Sequence, residues 1–239
     1  MMKNLEKITR ILGRWCSDVR NAVMPPVCPV CGTVLSQGEK CLCAACLAHL
    51  EYAGYPNVAS NPMEQRLERL TGRTAPAAAL LLYAHGEVSG RMVSAFKYCG
   101  ERGLAEFAGE LLGLALADSP RFAAYEVSIP VPLHSRRLKQ RGYNQAAELC
   151  RGMCAVRPWE IQDVLVRTVA TSEQASLGRD ARLANASDVF ALRSGACLRG
   201  RDVLLVDDVF TTGTTVSSAA RVLYRAGARS VAVACLCAG

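Results

Sequence analysis

Two adjacent carboxylates, Asp207 and Asp208, end an apolar run, Val203-Leu204-Leu205-Val206. Val209 and Phe210 come next, and then Thr211-Thr212-Gly213-Thr214-Thr215. Lone pairs on two neighbouring carboxylates suit a ligand with paired hydroxyl donors, such as a ribose. A Thr/Gly loop that opens a helical pattern suits a phosphate: backbone N–H groups at a helix N-terminus point at an anion, and the dipole favours negative charge there. The Thr hydroxyls add donors, and Gly213 lets the backbone bend or approach closely. The loop has no lysine, which separates it from a nucleotide P-loop, and the acids would repel a bare polyphosphate. The stretch therefore asks for a sugar flanked by a phosphate. The bland alternative is a capped strand–helix turn with two solvated acids, but such a turn needs neither the acid pair nor four Thr residues.

A second chemical run is cationic. Val127-Ser-Ile-Pro-Val-Pro-Leu133 predicts a strand that leaves its sheet at the prolines. It leads into a loop, His134-Ser-Arg136-Arg137-Leu-Lys139-Gln-Arg141. Cations directly after a strand end suit an anion, and in an open parallel sheet ligands bind beyond the carboxyl ends of the strands. The cationic and acidic loops should therefore meet at one crevice. A solvated basic face that starts a helix is the alternative. His134 is either an acid/base group or a hydrogen-bonded structural residue, and Lys97 points either at a phosphate or at solvent.

A third run is sulfur-rich. Cys28-Pro-Val-Cys31-Gly32 and Cys43-Ala-Ala-Cys46 are two knuckles with structural-zinc spacing. A segment this short has little core of its own, so metal binding would supply its folding energy. Cys41 is a second choice for the place of Cys43, although Cys41-Leu-Cys43 lacks the knuckle spacing. A redox pair would need a thioredoxin-like context, which is missing. His49 reads as a surface residue beside a closed four-cysteine site.

These groups need elements to position them. Leu5, Ile8, Leu12, Trp15, Val19 and Val23 recur at helical spacing, so an amphipathic helix is expected within 1–26, ended by Pro25 and Pro26. The zinc-ribbon-like module and a linker with one short helix fill 27–72. From 73 to 239, strands near 77–83, 127–133, 164–167, 187–192, 201–206 and 230–237 alternate with helices near 88–95, 104–117, 146–153 and 216–227. That alternation predicts a doubly wound, mainly parallel α/β domain. The chain of 239 residues carries a net charge of +7, which fits a polyanionic small ligand, nucleic acid or a merely solvated basic surface. No apolar run approaches a membrane span. The charged N-terminus lacks the apolar stretch of a secretory signal. Twelve cysteines sit most naturally in a reducing cytoplasm.

The thirteen residues from Val203 to Thr215 resemble the phosphoribosyl-pyrophosphate (PRPP) signature of type I phosphoribosyltransferases. The resemblance implies that Asp207 and Asp208 hold the ribose 2- and 3-hydroxyls and that Thr211, Thr212, Gly213, Thr214 and Thr215 cradle the 5-phosphate. Four features in fixed order resemble the competence protein F (ComF, GntX-like) family over nearly the whole chain after the first helix. They are the two cysteine knuckles, Val131-Pro-Leu-His134 with Arg141-Gly-Tyr-Asn-Gln145, Arg167…Gln174…Arg182…Asn185, and the acidic loop. Tyr143 stands where Phe is common. Arg167 to Asn185 is similar to the flexible lid of purine-type phosphoribosyltransferases, making Arg167, Gln174, Arg182 and Asn185 lid candidates.

The family resemblance implies a phosphoribosyltransferase-like fold, a zinc-ribbon-like N-terminal part and a link to DNA uptake. PRPP with Mg²⁺ is the expected ligand, and zinc on Cys28, Cys31, Cys43 and Cys46 is a structural metal. Asp207, Asp208 and Arg141 are the expected catalytic groups, with Arg137, Lys139 and Arg141 on the pyrophosphate. The expected activity is phosphoribosyl transfer to an unnamed acceptor. The alternative is a non-catalytic accessory of DNA uptake that binds single-stranded DNA or competence-machinery proteins and uses PRPP as a ligand. Aromatic residues make up only 6%, thin for base stacking.

Overall fold

The structure is a computed structural model that describes residues 25–168 and 189–239. The helix expected within 1–26, and the lid candidates Gln174, Arg182 and Asn185, lie outside the described residues. The chain divides into two compact units, one ending at His49 and one running from Leu50 to Gly239.

The described part of the small unit is built on its knuckles. The Cys28 N–H donates to the Thr33 carbonyl and the Gly32 N–H to the Cys28 carbonyl, both at 2.8 Å. The positive φ of Gly32, 77°, closes this turn. An antiparallel bridge joins Val27 and Val34. The second knuckle opens a short helix, α1 (Ala44–Ala48). Glu39 holds the two halves together, its carboxylate accepting the Ser36 and Ala44 N–H groups at 2.6 Å each.

The large unit centres on a five-stranded parallel sheet of β1 (Ala77–Leu82), β2 (Val127–Pro130), β3 (Glu160–Ile161), β6 (Asp202–Phe210) and β7 (Ser230–Ala238). Their spatial order is β1-β7-β6-β2-β3. β4 (Leu165–Arg167) and β5 (Phe190–Leu192) form a separate antiparallel pair. Helices α2 (Pro62–Thr71), α3 (Val88–Tyr98), α4 (Arg102–Ala117), α5 (Ser135–Arg141), α6 (Gln145–Val156) and α7 (Thr214–Arg225) connect and cover the strands. The doubly wound, mainly parallel architecture expected from the alternation is present.

β6 lies between β7 and β2, and Val203 to Val206 are fully buried. An unbroken apolar run is what a parallel strand covered on both faces requires. Chain progression runs outward from β2 to β3 on one side and from β6 to β7 on the other. The β2/β6 boundary is therefore the switch point, where a crevice opens beyond the strand ends.

Three differences from the sequence reading affect the site. The basic loop after β2 is a helix, α5, ended by Gly142 at φ 82°. β6 continues through both acids to Phe210. The short helix expected in the linker is α2, and it belongs to the larger compact unit.

Candidate functional site

Asp207, Asp208, Thr211 and Thr215 line a crevice of about 330 Å³ together with Arg137, Arg141, Lys97 and Arg167. Residues 131–133, just past β2, and Tyr83, just past β1, add to its walls. The cationic segment and the acidic strand end therefore face one cavity. They reach it because both leave the sheet on the same side of the switch point.

The two acids differ. The Asp208 N–H donates to Asp207 Oδ1 at 2.9 Å, which fixes their relative orientation. Lys97, in the last turn of α3, forms an ion pair with Asp208 at 2.9 Å. Burial, helped by the neighbouring Asp208 charge, pushes the Asp207 carboxyl up to about 8. Asp207 thus holds its proton near neutral pH beside an Asp208 that Lys97 pairs with.

The loop beyond the acids has its own small hollow of about 20 Å³, lined by Thr211, Thr212, Gly213, Thr214 and Thr215. Gly213 is the N-cap of α7 at φ 76°, with no side-chain acceptor on the cap. A Cβ at Gly213 would lie 2.8 Å from Phe210 Cζ. Only glycine meets both demands. Thr212 Oγ1 and Thr214 Oγ1 lie 3.0 Å apart, so the loop hydroxyls converge. A helix N-terminus that presents amides and hydroxyls to a hollow is an anion cradle.

The cationic wall follows from helical geometry. On α5, Arg137 and Arg141 are four residues apart and share a face, while Lys139, two residues on, points elsewhere. Both arginines line the crevice and Lys139 does not. Lys139, expected beside them on the pyrophosphate, lies off this wall, because a loop reading carries no helical period. Arg141 also stacks over Tyr98, 5.7 Å from the ring centre.

The residues after Gly142 act as clamps. The Tyr143 hydroxyl donates to the Phe96 carbonyl, which ties this turn to the end of α3 beside Lys97. Asn144 caps α6 and sends Nδ2 to the Val131 carbonyl at 3.0 Å. His134 caps α5, its ring Nδ1 accepting the Arg136 N–H at 3.2 Å, which is the structural role of the two weighed for it.

Of the lid candidates, Arg167 lines the crevice and lies over Phe190, 5.5 Å from the ring centre. Spacing alone leaves Lys97 open, because a lysine in a last helical turn can face either a ligand or water. Tyr83, Tyr98 and Gln145 also line the crevice. Gln145 comes directly after Asn144 in the sequence motif, and its buried Nε2 has no hydrogen-bond partner among the described residues.

In the small unit, the sulfurs of Cys28, Cys31, Cys43 and Cys46 all lie within 4.8 Å of one another. Bonds of about 2.3 Å to one ion in a tetrahedron place sulfurs roughly 3.8 Å apart, so the group is sized for a metal. Cys43 caps α1, its Sγ accepting the Cys46 N–H at 3.4 Å. Hydrogen bonding with Thr33 draws the Cys31 thiol down to about 6, while burial pushes the Cys46 thiol up. Cys41 stands outside the four-sulfur group. His49 is exposed, with its ring nitrogen 2.7 Å from the Ala45 carbonyl.

Comparison with known proteins places the chain among relatives. The family described as phosphoribosyl transferase domain matches residues 140–239. The DNA utilization protein YhgH of Escherichia coli O157:H7 is 30% identical over 219 residues, covering 88% of this chain and 89% of that protein. Competence protein F of Haemophilus influenzae is 31% identical over 150 residues, 59% of this chain and 64% of the relative. Among solved structures, the glutamine PRPP amidotransferase of B. subtilis aligns at 18% identity and a TM-score of 0.41, covering 55% of this chain and 26% of that one.

Proposed function

The chain belongs to the competence protein F (ComF) family of the type I phosphoribosyltransferase superfamily, and from that premise we propose that it binds PRPP and transfers its phosphoribosyl group with release of pyrophosphate. The observation that supports this most is the single crevice of about 330 Å³ shared by Asp207, Asp208, Thr211, Thr215, Arg137 and Arg141. Its walls offer acceptors for a sugar diol, an amide-lined cradle for one phosphate and arginines for a second anion.

In the proposed reaction, the ribose hydroxyls donate to Asp207 and Asp208, and Thr211 to Thr215 hold the 5-phosphate. The bond from ribose C1 to the diphosphate oxygen breaks, and its electron pair leaves with the pyrophosphate. The acceptor's lone pair then forms the new bond at C1, and the acceptor gives up a proton. Charge of opposite sign grows on the sugar and on the leaving group, as in glycoside cleavage. Arg141 and Arg137 neutralise the departing oxygens, and Arg167 adds charge from β4. Lys97 keeps Asp208 oriented and balanced. Mg²⁺ accompanying PRPP would supply further counter-charge and would need no dedicated protein cage.

Zinc is the metal we assign to Cys28, Cys31, Cys43 and Cys46, which would close a tetrahedron and leave no open position for chemistry. A cytoplasmic location suits the twelve cysteines. Among the described residues, no helix is long and apolar enough to cross a membrane.

A second role is favoured by the names of the relatives, which speak of DNA utilization and competence. The chain would then be an accessory of DNA uptake that binds single-stranded DNA or partner proteins and uses PRPP as a signal. Pyrophosphate release, followed across a panel of nucleobases and amines, separates the two. Release that depends on both PRPP and one acceptor supports transfer. Silence across the panel, together with DNA binding that weakens steeply with salt, supports the accessory role.

A further inference from the structure

We propose that Arg66 is a positioning residue for the phosphate loop, locking the Thr211–Thr212 peptide so that its N–H faces the anion; this rests on the phosphate-binding role proposed above. Arg66 lies on α2, a helix outside the matched residues 140–239. Its Nη1 donates to the Thr211 carbonyl at 3.0 Å, across 145 positions of sequence.

α2 is a firm base for such a reach. Asn61, 2% exposed, caps it, with Oδ1 accepting the Met63 and Glu64 N–H groups at 3.0 and 3.1 Å. The other end of the same amide donates to the Ala77 carbonyl at 2.7 Å, at the start of β1. Glu64 accepts the Ala77 N–H at 3.0 Å and pairs with Arg121. The helix is thus bonded to a core strand through both groups of one residue, Ala77.

From this base α2 touches the loop region at three points. Arg66 holds the Thr211 carbonyl. The Leu70 side chain packs at Gly213, where Leu70 Cδ1 lies 3.2 Å from the position a Cβ would take. The Leu70 carbonyl accepts Arg221 Nη2 at 3.2 Å, which ties in the helix that the loop opens.

Peptide planarity gives the Arg66 contact its consequence. In a trans peptide the C=O and the next N–H point in opposite directions, and no cis peptide occurs among the described residues. With the Thr211 carbonyl turned to Arg66, the Thr212 N–H points away from it. Thr212 lines the small hollow with Thr214 and Thr215, and Arg66 does not. Arg66 instead lines a separate cavity of about 400 Å³, with Tyr55, Met63 and Phe210, to which Thr211 also contributes. Released from Arg66, the peptide is free to rotate and aim its oxygen at the anion, which would repel it.

The test compares wild type with Arg66→Ala, Arg66→Lys and, as a control for lost charge on the same helix, Arg69→Ala. Calorimetric titration uses ribose 5-phosphate, which carries the phosphate for the loop, and inorganic pyrophosphate, which tests the arginine wall alone. Arg66→Ala should weaken ribose 5-phosphate by about tenfold and leave pyrophosphate within twofold. Arg66→Lys should recover part of the loss, and Arg69→Ala should match wild type. Equal weakening of both ligands, or none of either, overturns the assignment. Amide hydrogen exchange without ligand provides an independent readout: Arg66→Ala should speed exchange at residues 211–215 and leave β6 protected. Unchanged exchange there overturns the brace. If wild type binds neither ligand, the phosphoribosyl proposal falls, and the exchange comparison still decides whether Arg66 orders the loop.

Discussion

Asp207 carries a testable electrostatic signature. Its folded-state value of about 8 lies above the ordinary 3.8. A raised value means that the protonated carboxyl favours the fold fully below 3.8 and that this contribution is lost as pH rises towards 8. Asparagine keeps the shape and cannot titrate. The melting temperature of Asp207→Asn should therefore gain on wild type by roughly 2–6 °C between about pH 5 and about pH 8. A constant gap across that range would show that Asp207 is ionised throughout. Residue chemistry was the part most legible in the sequence here. Two acids, four Thr and a Gly in strand–loop–helix order marked out a site by their types alone, and Asp207, Asp208, Thr211 and Thr215 do line one crevice. Lys97 and Lys139 were less legible, because the direction of a lysine depends on the helix that carries it. Lys97 turns inward to Asp208, while Lys139 falls on a face of α5 that does not line the crevice.

At the scale of elements, the loop after β6 is the most constrained. Gly213→Ala places a Cβ against Phe210 in a backbone region that L-residues avoid. It should cost about 1–3 kcal/mol, read as a lower denaturant midpoint, and should weaken PRPP together with it. The cap of α2 is a second such point. Asn61→Ala removes an N-cap acceptor and leaves the buried Ala77 carbonyl without its donor. A loss of about 2–4 kcal/mol in chemical denaturation should result. An effect below about 0.5 kcal/mol would mean that α2 does not brace the sheet. Strand and helix existence could be read from periodicity, as in Val203 to Val206 and Leu104 to Leu116. The helical state of Ser135–Arg141 could not, since seven residues rich in Arg and Lys carry no apolar stripe to mark one face. The pairing of β4 with β5 was hidden for a related reason: two three-residue strands set far apart in sequence offer no local register signal.

For the whole molecule, two compact units imply two separable tests. The small unit should carry about one zinc ion per chain after native purification. Chelation should speed amide exchange in residues 27–49, because the four thiolates and their metal stand in for a core. A metal ratio near zero would refute the four-cysteine assignment. The large unit rests on the sheet, and its crevice lies at the switch point between β2 and β6. The proposed function requires one small molecule to bridge the acid pair, the Thr/Gly loop and the arginine wall. The most direct test is titration of PRPP with Mg²⁺ into wild type and into the Asp207→Asn/Asp208→Asn double variant. Saturable binding to wild type, with at least about tenfold weaker binding to the variant, is the predicted result. Equal affinity in both, or no binding to wild type, would contradict it.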